Sequence, residues 1–371
     1  MSKSVKKIGV LTSSRADYGI YQPLLKVLAN DDTFEIHLLV FGTHLLSKYG
    51  ETIQEIKSDG YGNIHTIQGM PSSDSVKDIA KGYSDVLANF TEFWADNNFD
   101  IVLALGDRFE MSAAVQASIP FEIKIGHIHG GETTLGAIDN IYRHQISLVS
   151  QFHFVASEVF VDRLRNLLDT DVNIYNVGSL SLSELTETEL PTWEKVADKF
   201  NIPASDFALV TLHPETVNSF NNERFSIEAF SALLQLSKEI HVVVTLANAD
   251  TNGSYFRSEA ERIKLENPNR ISIVENFGKL NYFSAMKQCR LMCGNTSSGI
   301  IESASFGKYV VNIGDRQKGR LRSENVIDVP FVRSEIYAAC LETLRLGDYK
   351  GNNLYYKKDS AKVINKILNH A

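Results

Sequence analysis

The sequence predicts an α/β protein made of two doubly wound domains that face each other across a cleft. Three observations carry this expectation. The chain has 371 residues, long for a single hydrophobic core. Short apolar runs without polar alternation recur between stretches of helical periodicity, the pattern of parallel strands covered on both faces. The rhythm breaks once, near residues 178–190, and then restarts.

In the first array the strand-like runs are KIGVLTSS, EIHLLVFG, DIVLALGD, IKIGHIHGG, FHFVAS and VNIYNVGS. DIAKGYSDVLANFTEFWADNN, between the second and third of these runs, has apolar residues at helical spacing. The break, SLSLSELTETELPTWEK, is rich in Ser, Thr and Glu and contains Pro191. The second array reads FALVTLHPE, EIHVVVTLA, RISIVENF, RLMCGNTSS and KYVVNIGD. The predicted domains are residues 1–178 and 179–352, with 353–371 forming a C-terminal segment that ends in the helical pattern SAKVINKILNHA.

Composition narrows the function. A net charge of -8 argues against nucleic acid or an anionic membrane as partner, while leaving room for a small anion held by local arginines. The three cysteines, Cys289, Cys293 and Cys340, form no CxxC, so neither a disulfide framework nor a thiolate zinc site is expected. The N-terminal apolar run is too short for a signal sequence or a membrane span, and a cytoplasmic protein is expected.

In open parallel sheets ligands bind beyond the carboxyl ends of the strands. The residues there are Arg15 and Asp17, His44, Asp107 and Arg108, the HIHGGE turn, His213, Asn248 and Asp250, GNTSSG, and Arg316. GNTSSGIIE predicts a helix with Ser297, Ser298 and Gly299 at its start, suited to a phosphate, and Glu302 one turn in, suited to a ribose diol. GDRQKGRLR places Arg316, Lys318, Arg320 and Arg322 beyond a strand, enough positive charge for a diphosphate, which Arg15 could also approach. Neither a Walker loop nor GxGxxG is present. IGHIHGGETTLGAIDNIYRH gathers His127, His129, Glu132 and Asp139. It admits a metal centre of the metallophosphoesterase kind, or metal-free acid–base chemistry by Asp107, Glu132 and Asp139.

SRADYG, GDRFE, HIHGGE, DNIYRH, HPET, NAD, GNTSSGIIE and GDRQKGR occur in an order and spacing that resembles the hydrolysing UDP-N-acetylglucosamine 2-epimerases of the bacterial sialic-acid and legionaminic-acid branch. The resemblance runs from about residue 6 to 330. It implies a glycosyltransferase-B type fold with two Rossmann-like domains, a C-terminal helix returning to the first domain, no metal or other cofactor, and a homodimer or homotetramer. It also implies conversion of UDP-N-acetylglucosamine and water to N-acetylmannosamine and UDP, the first step of sialic acid biosynthesis. The route is elimination to a 2-acetamidoglucal followed by hydration. UDP-N,N'-diacetylbacillosamine is the alternative substrate. A nucleotide-sugar-dependent glycosyltransferase or a non-catalytic sensor would not need so many carboxylates.

Carried over motif by motif, Asp107, Glu132 and Asp139 form the acid–base set, with His213 close to the leaving diphosphate. His44, Arg108, His127 and His129 position the sugar, or the last two brace the turn. Arg15, Arg316 and Arg320 neutralise the diphosphate. Ser297, Ser298, Gly299 and Glu302 hold phosphate and ribose, Phe277 lies by the uracil, and Asn248 and Asp250 complete the substrate contacts.

Overall fold

A computed structural model describes residues 5–47, 50–71, 73, 75–183, 185, 189–217, 219–246 and 253–371. The chain divides into two compact units. Unit 1 comprises Met1–Glu132, Asp139–Thr186 and Tyr355–Ala371; unit 2 comprises Thr133–Ile138 and Glu187–Leu354.

Unit 1 contains β1 (Lys6–Thr12), β2 (Phe34–Val40), β3 (Asn63–Thr66), β4 (Ile101–Leu105), β5 (Ile125–Ile128), β6 (Phe152–Val155) and β7 (Ile174–Asn176). They form one sheet in the order β3-β2-β1-β4-β5-β6-β7, every pair parallel. Its helices are α1 (Arg15–Ala29), α2 (Ile53–Ser58), α3 (Val76–Asp96), α4 (Phe109–Ala117), α5 (Asp139–Val149) and α6 (Glu158–Leu168). Each of β4, β5 and β6 is buried along its length because helices cover both faces. Helix α3 shows the complementary pattern. Val86, Phe90 and Trp94, four residues apart, make its buried stripe, and Trp94 donates its indole N–H to the Ala114 carbonyl at 3.1 Å.

Unit 2 contains α7 (Trp193–Lys199), β8 (Phe207–Thr211), α8 (Asn222–Leu236), β9 (His241–Thr245), α9 (Gly253–Glu266) and β10 (Ile271–Val274). It continues with α10 (Lys279–Gln288), β11 (Leu291–Gly294), α11 (Ser297–Ile301), β12 (Val310–Ile313), β13 (Val326–Val329) and α12 (Arg333–Leu346). Its sheet is also all parallel, in the order β10-β9-β8-β11-β12-β13. The final helix, α13 (Ser360–His370), lays Ala361, Ile364 and Leu368 into the unit 1 core that also holds Leu24, Leu25 and Leu28 of α1. Lys6 holds its end by donating to the carbonyls of Leu368, Asn369 and Ala371. Among the described residues no helix is long and apolar enough to cross a membrane.

Strand order reverses once in each sheet, between β1 and β4 and between β8 and β11. Helices following the strands on either side of such a point lie on opposite faces, so the loops diverge and leave room for a ligand. The two reversals therefore single out the exits of β1 and β4 in unit 1 and of β8 and β11 in unit 2.

Three strand histidines, His127, His153 and His241, are buried, and burial depresses them to about 3, 4 and 4 respectively. Each stays neutral in the folded chain but takes up a proton below about 6.5 once unfolded. The stability tied to these groups is thus fully present above that pH and declines as pH falls towards the folded values. We expect the unfolding midpoint to fall progressively below pH 6.5, with each histidine adding at most about 1.4 kcal/mol per pH unit. His241→Asn should flatten the slope measured by fluorescence-monitored melting; an unchanged slope would show that His241 does not contribute.

Candidate active-site clusters

The exit of β1 is built around a carboxylate. Asp17 accepts from the Thr12 hydroxyl at 2.6 Å, from the Ser13 hydroxyl and N–H at 2.9 Å, and from the Ser14 N–H. Ser14 and Asp17 form a capping box, which starts α1 with Arg15 at its first position. Burial raises the Asp17 carboxyl, but the bonds from His44, Thr12 and Ser13 outweigh it and hold it below its ordinary value. The Thr12 proton goes to Asp17, so His44 Nε2, 2.9 Å from Thr12 Oγ1, is the donor there; Nδ1 lies 2.7 Å from the Thr52 hydroxyl. His44 is fully buried with both nitrogens engaged, a brace for the turn rather than a surface group. Arg15 is partly exposed, 3.7 Å from Glu55.

At the exit of β4, Asp107 pairs with Arg143 of α5. The Arg143 side chain is only 2% exposed against 25% for Asp107, and Arg143 also donates to the Glu132 carbonyl at 3.2 Å. One guanidinium thus joins the β4 exit to the turn after β5, and Asp139 stands four residues before it, on the same face of α5. Arg108 pairs with buried Glu110. In the turn, His129 adopts the left-handed region (φ 65°), uncommon for a residue with a side chain. Its Nδ1 lies 2.8 Å from the buried Glu132 carboxylate. His127 Nε2 faces the Gly106 carbonyl at 2.8 Å and so carries the proton, while Nδ1 faces the Ser147 hydroxyl at 3.0 Å. Like His44, it has no nitrogen left for a ligand.

Unit 2 replaces the charged hub with a neutral one. Fully buried Asn295, after β11, accepts from the His213 N–H at 2.7 Å and donates to the His213 carbonyl at 2.9 Å. Its own carbonyl accepts from Gln317 at 2.7 Å and Arg316 at 3.4 Å. Gly294 makes this approach feasible: at φ 135°, a Cβ would lie 1.9 Å from the Thr211 carbonyl oxygen. Glu215 accepts from the Asp315 N–H at 2.6 Å and fixes the start of the basic loop. Segment 133–138 flanks that loop: Leu135 N–H donates to Lys318 O at 2.8 Å, and Arg320 Nε donates to Thr134 Oγ1 at 3.2 Å. Gly136 is required there, because a Cβ would meet Asp315 O at 1.9 Å.

Helix α11 has only five residues, Ser297–Ile301, so little macrodipole builds up and the expected phosphate-binding helix reduces to a turn. Ser298 Oγ lies 2.7 Å from the Tyr282 hydroxyl, whose pKa burial pushes up to about 12. Gly299 lets the turn pack on β12, since a Cβ would sit 3.1 Å from Val310. Glu302 is buried at the turn's end. Phe277 is 3% exposed with its ring 4.8 Å from that of Phe200, so it packs in the interior instead of offering a face to a base. Asn248 and Asp250 lie outside the described residues.

The structure therefore joins Asp107 and the Glu132 carbonyl to Arg143, with Asp139 one turn before it on α5 and His129 against the Glu132 carboxylate, and joins His213 and Arg316 to Asn295, two residues before Ser297. Arg143, Asn295, Glu215 and Gln317 were not singled out from sequence, although each lies inside a quoted motif. No group of three or more His, Cys, Asp or Glu among the described residues could hold a metal ion.

Comparison with solved structures shows the fold class. The chain superposes on UDP-N-acetylglucosamine 2-epimerase from Neisseria meningitidis bound to UDP-N-acetylglucosamine with a TM-score of 0.81 at 18% identity, covering 98% of this chain and 100% of that one. At that identity the likeness is one of fold. The sequence itself goes further: residues 26–369 match the family described as UDP-N-acetylglucosamine 2-epimerase, and the chain belongs to that family. It is 33% identical to UDP-N,N'-diacetylbacillosamine 2-epimerase (hydrolyzing) of Legionella pneumophila over 356 residues, 95% of this chain and 92% of the relative. It is 32% identical to GDP/UDP-N,N'-diacetylbacillosamine 2-epimerase (hydrolyzing) of Campylobacter jejuni over 326 residues, 88% of this chain and 84% of the relative.

Because Asn295 satisfies both backbone groups of His213, Asn295→Ala should cost about 2–6 kcal/mol, two unmade bonds at about 1–3 kcal/mol each. Urea titration measures it; a loss under 1 kcal/mol would mean water or a rearranged loop replaces the amide.

Proposed function

We propose that the chain is a hydrolysing 2-epimerase of UDP-linked 2-acetamido sugars, with UDP-N,N'-diacetylbacillosamine preferred over UDP-N-acetylglucosamine. The observation that carries the reaction type is the Asp107 carboxylate paired with buried Arg143, whose guanidinium also binds the backbone carbonyl of Glu132 in the glycine-hinged turn. The substrate preference departs from the N-acetylglucosamine expected from sequence. It is supported by two relatives at 32–33% identity that carry the diacetylbacillosamine name.

In the proposed reaction the C1–O bond to UDP breaks as a carboxylate removes the proton on carbon 2, which becomes acidic only as positive charge builds on the ring. The product of this step is a glycal. Water then supplies the hydroxyl at carbon 1 while a proton returns to the opposite face of carbon 2, releasing the 2-epimer. Asp107, Glu132 and Asp139 serve as base and acid. In unit 2, Arg316, Arg320 and His213 stabilise the leaving diphosphate, Ser297 and Ser298 bind phosphate, and Glu302 binds the ribose. Arg15 adds charge to the diphosphate, and Arg108 and His129 contact the sugar. His44 and His127 act through the groups they brace. We further propose a cytoplasmic homo-oligomer that uses no cofactor.

In D2O the free sugar product should carry deuterium at carbon 2, and oxygen-18 water should label its carbon 1 hydroxyl and not phosphorus. A product still protiated at carbon 2 would overturn the elimination route. Parallel NMR assays should show faster turnover of UDP-N,N'-diacetylbacillosamine; the reverse ratio would restore N-acetylglucosamine. Asp107→Asn, Glu132→Gln and Asp139→Asn should each lower turnover by roughly 100-fold or more; Asp139→Asn should change the melting temperature little, whereas Asp107→Asn should also lower it, because Asp107 is the carboxylate partner of buried Arg143. Near-normal turnover would make that residue structural.

Arg316→Ala should weaken UDP by about 1.5–3 kcal/mol, as for a hydrogen bond to a charged group. Unchanged calorimetric affinity would mean the basic loop is merely solvated.

A further inference from the structure

Unit 2 holds a cavity of about 530 Å³ at the carboxyl ends of β12 and β13, bounded by Glu215 and the start of α8. None of the residues proposed above to hold UDP lines it. Its size suits a small-molecule site, and its place beyond parallel strands is where such sites form. Phe225 and Phe331 stack at 4.4 Å, 10° from parallel, and supply an apolar wall. The wall depends on Gly314 (φ 77°): a Cβ would come within 2.2 Å of Phe331 and 2.6 Å of Glu215 Oε1.

The charges are arranged unequally. Arg322 pairs with Asp328, which also accepts from Asn312 at 2.9 Å. Lys318 lies 3.2 Å from the Asp315 carboxylate. Among the described residues exposed Arg224 has no carboxylate partner, and its guanidinium lies 5.4 Å from the Phe225 ring centre. The wall thus offers Arg224 without a carboxylate partner, Asp315 and Asp328 each beside a cation, and buried Glu215, whose Oε1 accepts from the Asp315 N–H at 2.6 Å. Carboxylates beside a cation retain lone pairs suited to hydroxyl donors. An aromatic surface completes the set.

We propose that this cavity is a second ligand site that binds a monosaccharide-sized sugar anion. The carboxylate or phosphate sits on Arg224, the hydroxyls donate to Asp315 and Asp328, and one face of the sugar ring lies against Phe225. The inference does not depend on the proposed reaction, and its test reads binding alone.

The test uses the full chain, saturation-transfer NMR and calorimetry, with D-glucuronate and D-glucose 6-phosphate as separate probes and neutral glucose as control. At least one probe should bind in the presence of saturating UDP, and glucose should bind much more weakly. Glucuronate alone would identify a carboxylate ligand, glucose 6-phosphate alone a phosphate; either supports the site. Arg224→Ala, an exposed change, should weaken the probe by about tenfold or more, as for loss of a charge-assisted bond. Ser298→Ala should not. Failure of both probes to bind, displacement by UDP, equal binding of glucose, or indifference to Arg224→Ala would each overturn the proposal.

Discussion

A guanidinium cannot shed its proton inside a protein, so a buried arginine must be met by acceptors brought to it. Arg143 is in that position in unit 1. Its partners come from separate stretches of chain, the Asp107 carboxylate after β4 and the Glu132 carbonyl after β5. Desolvating the cation costs several kcal/mol, and that cost is offset only while both loops stay in place. The turn is tight for the same reason. A Cβ at Gly130 would lie 2.9 Å from His127 Nδ1, so a side chain there would separate the turn from the strand that carries it. The carboxylates are consequently held in position by a charge whose first effect is structural.

Unit 2 solves the corresponding problem without a buried charge. Asn295 has a donor and an acceptor in one planar group, and it uses both on the backbone of His213. A neutral amide carries a smaller desolvation penalty than a guanidinium, and it adds no negative charge beside Arg316. That suits a region proposed to receive a diphosphate. A carboxylate at the same hub would neutralise the cations the ligand needs.

The sequence revealed the layers more fully than the edges. The central strands are buried and mostly apolar and were legible as runs, but β3 (NIHT) and β13 (VIDV) were not. Both are four-residue edge strands, half-exposed, with polar residues interleaved, so neither length nor hydrophobicity marks them. The helix expected after GNTSSG stops at Ile301, and Asn325 and Gly299 then engage Ser303 in a tighter turn. Long-range partners of this kind leave no local signal. The same limit applied to the site. Motifs located the polar loops because strand exits are where polar residues collect. Which member of a motif faces inward depends on contacts across many residues, as with Arg143 to Asp107 or Asn295 to His213. Phe277 looked like a ring at a strand exit, but Phe200 covers it.

The histidines show most clearly how structure reassigns sequence signals. HIHGGE invites a metal or a histidine acid because imidazole titrates near neutrality. Burial removes His127 from that role. At about 3 its conjugate acid is scarcely populated at neutral pH, and its one N–H is spent on a backbone carbonyl. His44 has both nitrogens tied to threonine hydroxyls. What these rings supply is shape: a planar group with one donor and one acceptor that bridges two backbone segments in a dry interior. In the proposed reaction, proton transfer is assigned instead to groups that combine a titratable oxygen with some access. Asp107 has the access, and Asp139 is half-buried at the start of a helix. Glu132 is buried, and His129 Nδ1 holds its carboxylate at 2.8 Å. The turn that looked like a histidine site is thus better understood as a carboxylate site with a histidine frame.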